Sequence, residues 1–575
     1  MPLRSRSPAV PAVLVTLALL VPGCGLAPVE PLPGKPNIIL IMTDDQGWAQ
    51  VGFHGNPHIR TPTLDRMAAE SAEFTQFYVE PKCAPTRAAL LTGRHGYRSG
   101  VVDTYLGRTL MAPEAETLAE LLAADGYVTG IFGKWHLGDN YPLRPLDQGF
   151  DESLVHRGGG IGQPAGPPGN RYWDPVLEHN GESKPYEGYC TDIFTDALIE
   201  FIRNNSDRPF FGYLATNVPH APFHVDEEYI EPYREAGLPE NTARVYGMIA
   251  EFDENLDRLL SELETLRLAT RTIVIFLTDN GPTQQTYTAG LRERKGSAHD
   301  GGTRVPFLFR WPGRVEAGRK IDRIAAHVDV VPTLLDAAGV EDGSVQFDGV
   351  SLWPLLAGET APKDWPDRTI YLQNHRGDVP QLNRNASARN QRWKIVQPLG
   401  KATDPMPEGA AFHLYDMSVD PGETNNLAEE HPEIIAEMRK GYEEWFRDVS
   451  STRGFEPVRI HLGSPHEPLA MLSRFDWRGD TDDRAREDSL GYWPVVVEQA
   501  GRYDITLRFA GPLPAAGAAR LSVGEAGLAA DVPAGAESAD FRAVELQAGP
   551  TRLQGQVEFD GLVRGASFVD VRRQD

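Results

Sequence analysis

The chain has 575 residues, 41% of them hydrophobic and 24% charged, which is the composition of a folded protein too long for a single core. Its formal net charge of −25 argues against a basic face for nucleic acid or an anionic membrane. An anionic substrate must therefore be met by a local cationic pocket.

The chain begins "MPLRSRSPAVPAVLVTLALLVPGCG", with Arg4 and Arg6 ahead of an apolar run from Val10 to Val21. That run is too short to cross a bilayer and reads as a removable export signal over residues 1–24. Its end, "LLVPGC", resembles a bacterial lipoprotein signal with Cys24 as the lipidated residue, although Pro22 departs from that pattern. On this reading the protein is exported to the periplasm or cell surface and meets the membrane only through a lipid anchor. Residues 25–36, "GLAPVEPLPGKP", read as a Pro/Gly-rich tether. With Cys24 lipidated, only Cys83 and Cys190 remain, too few for a disulfide framework. Cys190, at an expected helix start, reads as a small buried residue.

"NIILIMTDDQG" and, far downstream, "TIVIFLTDNGP" are apolar runs that end in acids, the pattern of central strands buried on both faces. "VTGIFGKWHLG" and "PFFGYLATNVPH" read as further strands. "TLAELLAADG", stopped at Gly126, and "YGMIAEFDENLDRLLSELETL" read as helices between them. The alternation predicts an α/β domain over residues 37–360 with a large, mainly parallel sheet flanked by helices. Residues 361–452 then predict a small antiparallel α+β subdomain whose last helix ends near Phe446. From 456 to 575 the short alternating segments separated by Gly, Pro and Ala predict an all-β sandwich.

Ligands collect at the carboxyl ends of strands in such sheets, so Asp44, Asp45, Asp279 and Asn280 should converge on one rim. Their hard oxygens suit Ca²⁺ or Mg²⁺, whereas a single acidic strand end would be explained by a solvated loop. Cys83 opens the helix-like "CAPTRAALLTGR". A helix N-terminus favours an anion and lowers a thiol's pKa, so Cys83 is either a nucleophile or an inert buried cysteine. Residues 156–175, "HRGGGIGQPAGPPGNRYWDP", form a long Gly/Pro-rich loop with aromatics that reads as a binding feature or a structureless span. Arg292, Arg294, His299, His375 and Arg376 are candidates for the substrate mouth, with a solvated surface as the expected role of each.

"CAPTRAALLTGR" resembles the signature of type I sulfatases, Cys-x-Pro-x-Arg followed by Thr-Gly, in which the cysteine becomes formylglycine. "NIILIMTDDQGW", "GYVTGIFGKWHLG", "NVPHAPFH", "IFLTDNG", "KGSAHDGGTRVP", "HVDVVPTLLDAAGV" and "LYDMSVDPGETNNLA" resemble that family's segments in the same order, over roughly residues 36–450. The resemblance implies an alkaline-phosphatase-like fold and hydrolysis of sulfate esters, and the expected surface location together with the C-terminal sandwich points to sulfated carbohydrate as substrate, with aryl sulfates as surrogates. The resemblance also implies calcium, or magnesium, held by Asp44, Asp45, Asp279, Asn280 and the modified Cys83, and a partner enzyme that generates the formylglycine. By the same resemblance Arg87 steadies the aldehyde hydrate, and Lys134 and His136 bind sulfate and take the hydrate's proton. His220 and Lys295 hold sulfate and assist the leaving oxygen. Lys134 and His136 are expected on one face of a strand by alternation. Ala49, Gln50 and Asp300 depart from the family's pattern and bear on substrate rather than mechanism. The rival readings are a phosphate or phosphonate monoester hydrolase of the same superfamily and a non-catalytic surface glycan-binding protein.

Overall fold

The structure is a computed structural model that describes residues 34–284, 286–341, 343–399, 410–479 and 489–574. The export signal, Cys24 and most of the tether lie outside these described residues. Eleven strands form the largest sheet: β1 (Asn37–Thr43), β2 (Ala72–Tyr78), β3 (Val128–Lys134), β4 (Glu152–His156), β5 (Val176–His179), β6 (Glu182–Pro185), β7 (Phe210–Ala215), β8 (Thr272–Thr278), β9 (Arg304–Val305), β10 (Phe307–Arg310) and β11 (Lys320–Ala326). Their order is β11-β2-β10-β8-β1-β7-β3-β4-β5-β6, with β9 against β2. The run from β8 to β4 is parallel, in register Ile39 with Gly212 and Val274. β10 enters antiparallel, and β5 and β6 close the far edge as an antiparallel hairpin.

Every residue of β1, β7 and β8 is buried, as their apolar runs require. The pleat sends alternate side chains of β1 into two different cores. Ile38, Leu40 and Met42 pack with α2 (Cys83–Thr92) and α3 (Leu118–Ala124), while Ile39 and Ile41 pack with α1 (Pro62–Ala69), α4 (Cys190–Asn204), α5 (Glu227–Glu235) and α6 (Glu240–Thr265). The sheet is thus sandwiched between helices, and its strand ends open on one rim. Helix α3 begins at a capping box, with Glu120 N donating to Thr117 Oγ1 and Thr117 N donating to Glu120 Oε2. It stops where Gly126 takes a φ of 90°. Cys190 starts α4 fully buried, and burial pushes its thiol pKa up.

A four-stranded antiparallel sheet follows, made of Ile370–Gln373, Ala386–Arg389, Trp393–Gln397 and His413–Asp416. The helix Pro432–Ser451 covers it and runs five residues past the expected end at Phe446. Its apolar stripe of Met438, Tyr442, Phe446 and Val449 keeps helical spacing, so burial of Val449 carries the helix one turn further. Beyond it lie a six-stranded and a four-stranded sheet. Their inward residues, among them Trp493, Tyr503, Ile505, Leu521 and Val571, share one core with Tyr105, Leu106, Leu110, Leu143 and Ala165. The sandwich is therefore fused to loops that the α/β part sends over its strand ends.

His327, which follows β11, is fully buried, and burial holds its pKa down to about 3, with His95 adding to the depression. The unfolded chain takes up this proton near pH 6.5 and the folded chain does not, so its stabilising effect is complete above about 6.5 and lost as pH falls toward 3. Urea unfolding at pH 7 and pH 4.5 should therefore show His327→Gln losing less stability on acidification than the parent, by about 1–3 kcal/mol. Equal losses would mean that this histidine charges without cost.

Candidate active site

Five strand ends feed one buried cluster. β1 delivers Asp44 and Asp45, β8 delivers Asp279 and Asn280, and β3 ends on Lys134. β7 leads into the turn that carries His220, and β2 leads into α2, whose first residue is Cys83. All ten residues of α2 are buried, so the helix N-terminus is fixed at the floor of the site. Cys83 Sγ and carboxylate oxygens of Asp44 and Asp279 lie within 4.8 Å of one another, as do ligand atoms of Asp44, Asp45 and His220.

Cations interleave with these acids. Lys134 Nζ donates to Asp44 Oδ2 at 2.6 Å. Arg87, one helical turn from Cys83, donates from Nε and Nη2 to Asp279 Oδ2 at 3.2 and 2.9 Å, and from Nη1 to the Lys134 carbonyl at 3.0 Å. Lys295 Nζ donates to Asp45 Oδ1 and lies 4.0 Å from Cys83 Sγ. Asp45, at a φ of 67°, turns its own N–H onto Asp279 Oδ1 at 3.0 Å. Burial raises the Asp44 and Asp45 carboxyls, but Lys134, Lys295 and His220 outweigh it and hold both below the usual range. Asp279 stays raised, by burial and then by the adjacent Asp44, against the pull of Arg87.

His136 reaches the site by a different route from the one expected. β3 ends at Lys134, and His136 sits off the strand at a φ of 65°. Its Nε2 lies 3.0 Å from the Thr104 carbonyl. Because a carbonyl only accepts, Nε2 carries the hydrogen, and the buried Nδ1, with no partner among the described residues, keeps its lone pair. Burial, then Lys134 and Arg87, hold its pKa well below the ordinary imidazole value, so the ring is neutral. His220 Nδ1 lies 2.6 Å from the Ala221 carbonyl, which leaves Nε2 facing Asp45 Oδ2 at 3.8 Å.

The donor set fits a hard divalent cation. Asp44 Oδ1, Asp45 Oδ2 and Asn280 Oδ1 are buried oxygens without a hydrogen-bond partner among the described residues, and all three belong to this rim. Orphaned oxygens of this kind are what Ca²⁺ or Mg²⁺ would satisfy, with Asp279 and the side chain at position 83 beside them.

Of the mouth candidates, Arg294 is exposed as expected. His299 and His375 are buried instead. His299 Nδ1 lies 3.0 Å from Glu423 Oε1, and the His375 carbonyl accepts from Lys82 Nζ at 3.0 Å, so both are tied into the small antiparallel sheet's side of the site. Arg292 donates to Tyr415 Oη and the Glu423 carbonyl. Arg376 donates to Asp103 Oδ1 at 3.1 Å while lying over the Tyr105 ring. Asp300 is held by Lys394 at 2.6 Å, away from the cluster.

The long loop after β4 covers the cluster. A Cβ at Gly159 would fall 2.7 Å from His136 Nε2, and one at Gly160 would fall 3.5 Å from His220 Cε1. The loop's Gly-Gly-Gly run was the available signal for this close approach. Phe475, which no sequence signal marked, lies beside His136 with ring centroids 5.8 Å apart and planes tilted by 48°.

Comparison with known proteins gives one direction. The family model described as sulfatase matches residues 36–340, and that described as N-sulphoglucosamine sulphohydrolase, C-terminal, matches residues 294–447. N-acetylgalactosamine-6-sulfatase of Homo sapiens is 35% identical over 376 residues, covering 60% of this chain and 69% of that protein. Arylsulfatase A of Homo sapiens is 32% identical over 480 residues, covering 73% and 89%. Among solved structures, that of Ps i-CgsB in complex with k-i-k-neocarrahexaose is 28% identical at a TM-score of 0.64, covering 73% of this chain and 94% of that one.

Proposed function

The chain belongs to the sulfatase family, a sulfuric ester hydrolase, and from that premise we propose that it releases sulfate from sulfated carbohydrates by way of formylglycine at position 83 beside a bound calcium ion. The observation that carries this reading is the meeting of Cys83 Sγ with Asp44 and Asp279, within 4.8 Å, and with Lys295 at 4.0 Å. An aldehyde hydrate at position 83 supplies an oxygen nucleophile that can later be discarded, and calcium supplies charge neutralisation. Asp44, Asp45, Asp279 and Asn280 would hold the ion, with magnesium as the alternative occupant. Three carboxylates face the three cations Arg87, Lys134 and Lys295, so a divalent ion leaves the pocket with excess positive charge for an anionic ester in a protein that is otherwise acidic.

The chain's own residues divide the proton work. His136 is neutral with a free lone pair on Nδ1, and it accepts the proton released at position 83. Lys134 and Arg87, with fully buried side chains, fix the floor of the sulfate pocket. The side chains of Lys295 and His220 are each 17% exposed and stand at the rim, where the alcohol departs, and a proton on His220 Nε2 or Lys295 Nζ neutralises the leaving oxygen. The loop at Gly159–Gly160 lies against both histidines and shields the buried His136 from water, while His220 stays at the open rim.

Support for a saccharide substrate comes from the k-i-k-neocarrahexaose bound in the Ps i-CgsB complex. Aryl sulfates serve as small surrogates. The N-terminal signal and Cys24 point to export and a lipid anchor, with a formylglycine-generating enzyme as the maturation partner. The test is the mass of the peptide spanning Cys83 in protein from its own host, together with sulfate release from a nitrophenyl ester. An aldehyde with sulfate release supports the proposal; an unmodified thiol in active enzyme overturns it.

Gly159→Ala tests the covering loop. Its methyl group would overlap His136 Nε2 and Cε1, at 2.7 and 2.9 Å, so the ring must move. Turnover of nitrophenyl sulfate should fall about 100-fold with the thermal midpoint little changed. Undiminished turnover would show that the loop does not fix His136.

A further inference from the structure

The covering loop has a second side. Beyond the glycines that lie against His136 and His220, the Gln163 side chain packs onto those same two glycines. Its Oε1 and Nε2 lie 3.0 Å from where Cβ atoms at Gly159 and Gly160 would sit. The same glutamine lines a cavity of about 560 Å³ whose other wall is the sandwich, at Arg474, Arg508, Phe509 and Glu537. That volume lies within the ordinary range of ligand pockets, about 300–1,000 Å³. A smaller cavity of about 170 Å³ shares Arg474 and Phe509–Gly511 with it and continues to Arg564. The two cavities share a wall along the sandwich, and Gln163, which packs against the glycines that lie on His136 and His220, stands at one end of them.

Their chemistry differs from that of the surface around them. In a chain of net charge −25, three arginines line these two cavities, and among the described residues lining them Glu537 is an exposed acid, while Asp570 pairs with Arg508 from beside the wall. Each guanidinium lies over an aromatic ring: Arg474 over Trp477 at 5.0 Å, Arg508 over Phe568 at 4.6 Å and Arg564 over Phe559 at 5.0 Å. Stacking fixes the plane of the fork, which is how arginine is prepared to meet a sulfate or carboxylate. Arg508 is held further by Asp570 at 2.9 Å. Ser538, Ser567 and the half-buried Phe509 add the hydroxyls and the apolar face that a sugar ring needs.

We propose that this pair of cavities is a second glycan subsite, which binds the sulfated sugars that extend from the residue held at the catalytic cluster. It rests on the sulfatase reading for its link to catalysis, but its test does not. The full chain carrying Cys83→Ala, which consumes nothing, is titrated calorimetrically with hexasaccharides of iota-carrageenan, chondroitin 6-sulfate and heparin, and with a desulfated hexasaccharide. At least one sulfated hexasaccharide should bind and the desulfated one should not. Arg508→Ala, checked for an unchanged thermal midpoint, should weaken that binding about 10-fold or more, the worth of one charge-assisted contact. Glu537→Lys, at an exposed position that folding tolerates, should tighten it several-fold and decides the matter if Arg508→Ala does not fold. Absence of binding by all three, equal binding by the desulfated sugar, or indifference to both substitutions overturns the proposal. Failure of the matured wild-type enzyme to release sulfate would instead overturn the sulfatase reading and leave this titration standing.

Discussion

Cys83→Ala should abolish sulfate release, lowering turnover of a nitrophenyl sulfate by at least about 10⁴-fold, as loss of a covalent nucleophile does elsewhere. The fold should survive. Cys83 is 3% exposed at the first position of α2, and alanine there removes one sulfur atom without adding bulk or breaking a helix contact. The cost to stability should be about 1 kcal/mol, measured by urea unfolding. The companion variant Cys83→Ser separates two accounts of the site. A serine retains an oxygen but no aldehyde, so it lacks the second hydroxyl whose proton loss would discard the bound sulfate. It should release alcohol at most once per molecule, visible as a burst without steady turnover. If Cys83→Ala kept more than about 1% of the parent rate, chemistry at position 83 would not be the route.

The parts of this site that were legible in the sequence are those carried by local pattern. Apolar runs ending in acids placed Asp44, Asp45, Asp279 and Asn280 on one rim, because a parallel sheet puts its carboxyl ends together. The helix opening at Cys83 was legible for the same reason. The alternation that put Lys134 and His136 on one strand face was not sound, because β3 stops at Lys134 and His136 reaches the site through a left-handed turn. His299 and His375 read as surface because their partners, Glu423 and Lys82, are remote in sequence. Phe475 is the extreme case: it lies 339 positions from His136, and only the packing of the sandwich against the α/β loops brings the rings together. Local periodicity predicts elements and their ends; it carries no information on which remote loop will cover them.

Arg87→Ala should damage folding and catalysis together, and the reason lies in how many elements this side chain ties. It is fully buried, and its fork joins α2 to the end of β8 through Asp279 and to the end of β3 through the Lys134 carbonyl. Its Nη2 is also 4.0 Å from Asp44 Oδ2. Removing the guanidinium leaves Asp44 and Asp279 facing each other in a site already so desolvated that Asp279 is raised. Breaking a buried pair by deleting one partner costs about 3–5 kcal/mol, far more than the pair's own net worth, because the remaining charge is stranded. Urea unfolding should register that loss. Sulfate release should fall with it, since the floor of the pocket and the neighbour of position 83 go at once. Arg87→Lys keeps the charge but cannot reach both acceptors with one ammonium, so it should recover part of the stability and little of the activity. A stable Arg87→Ala protein with normal turnover would mean that the acids are compensated from elsewhere, and the division of labour given above for Arg87 and Lys134 would have to be withdrawn.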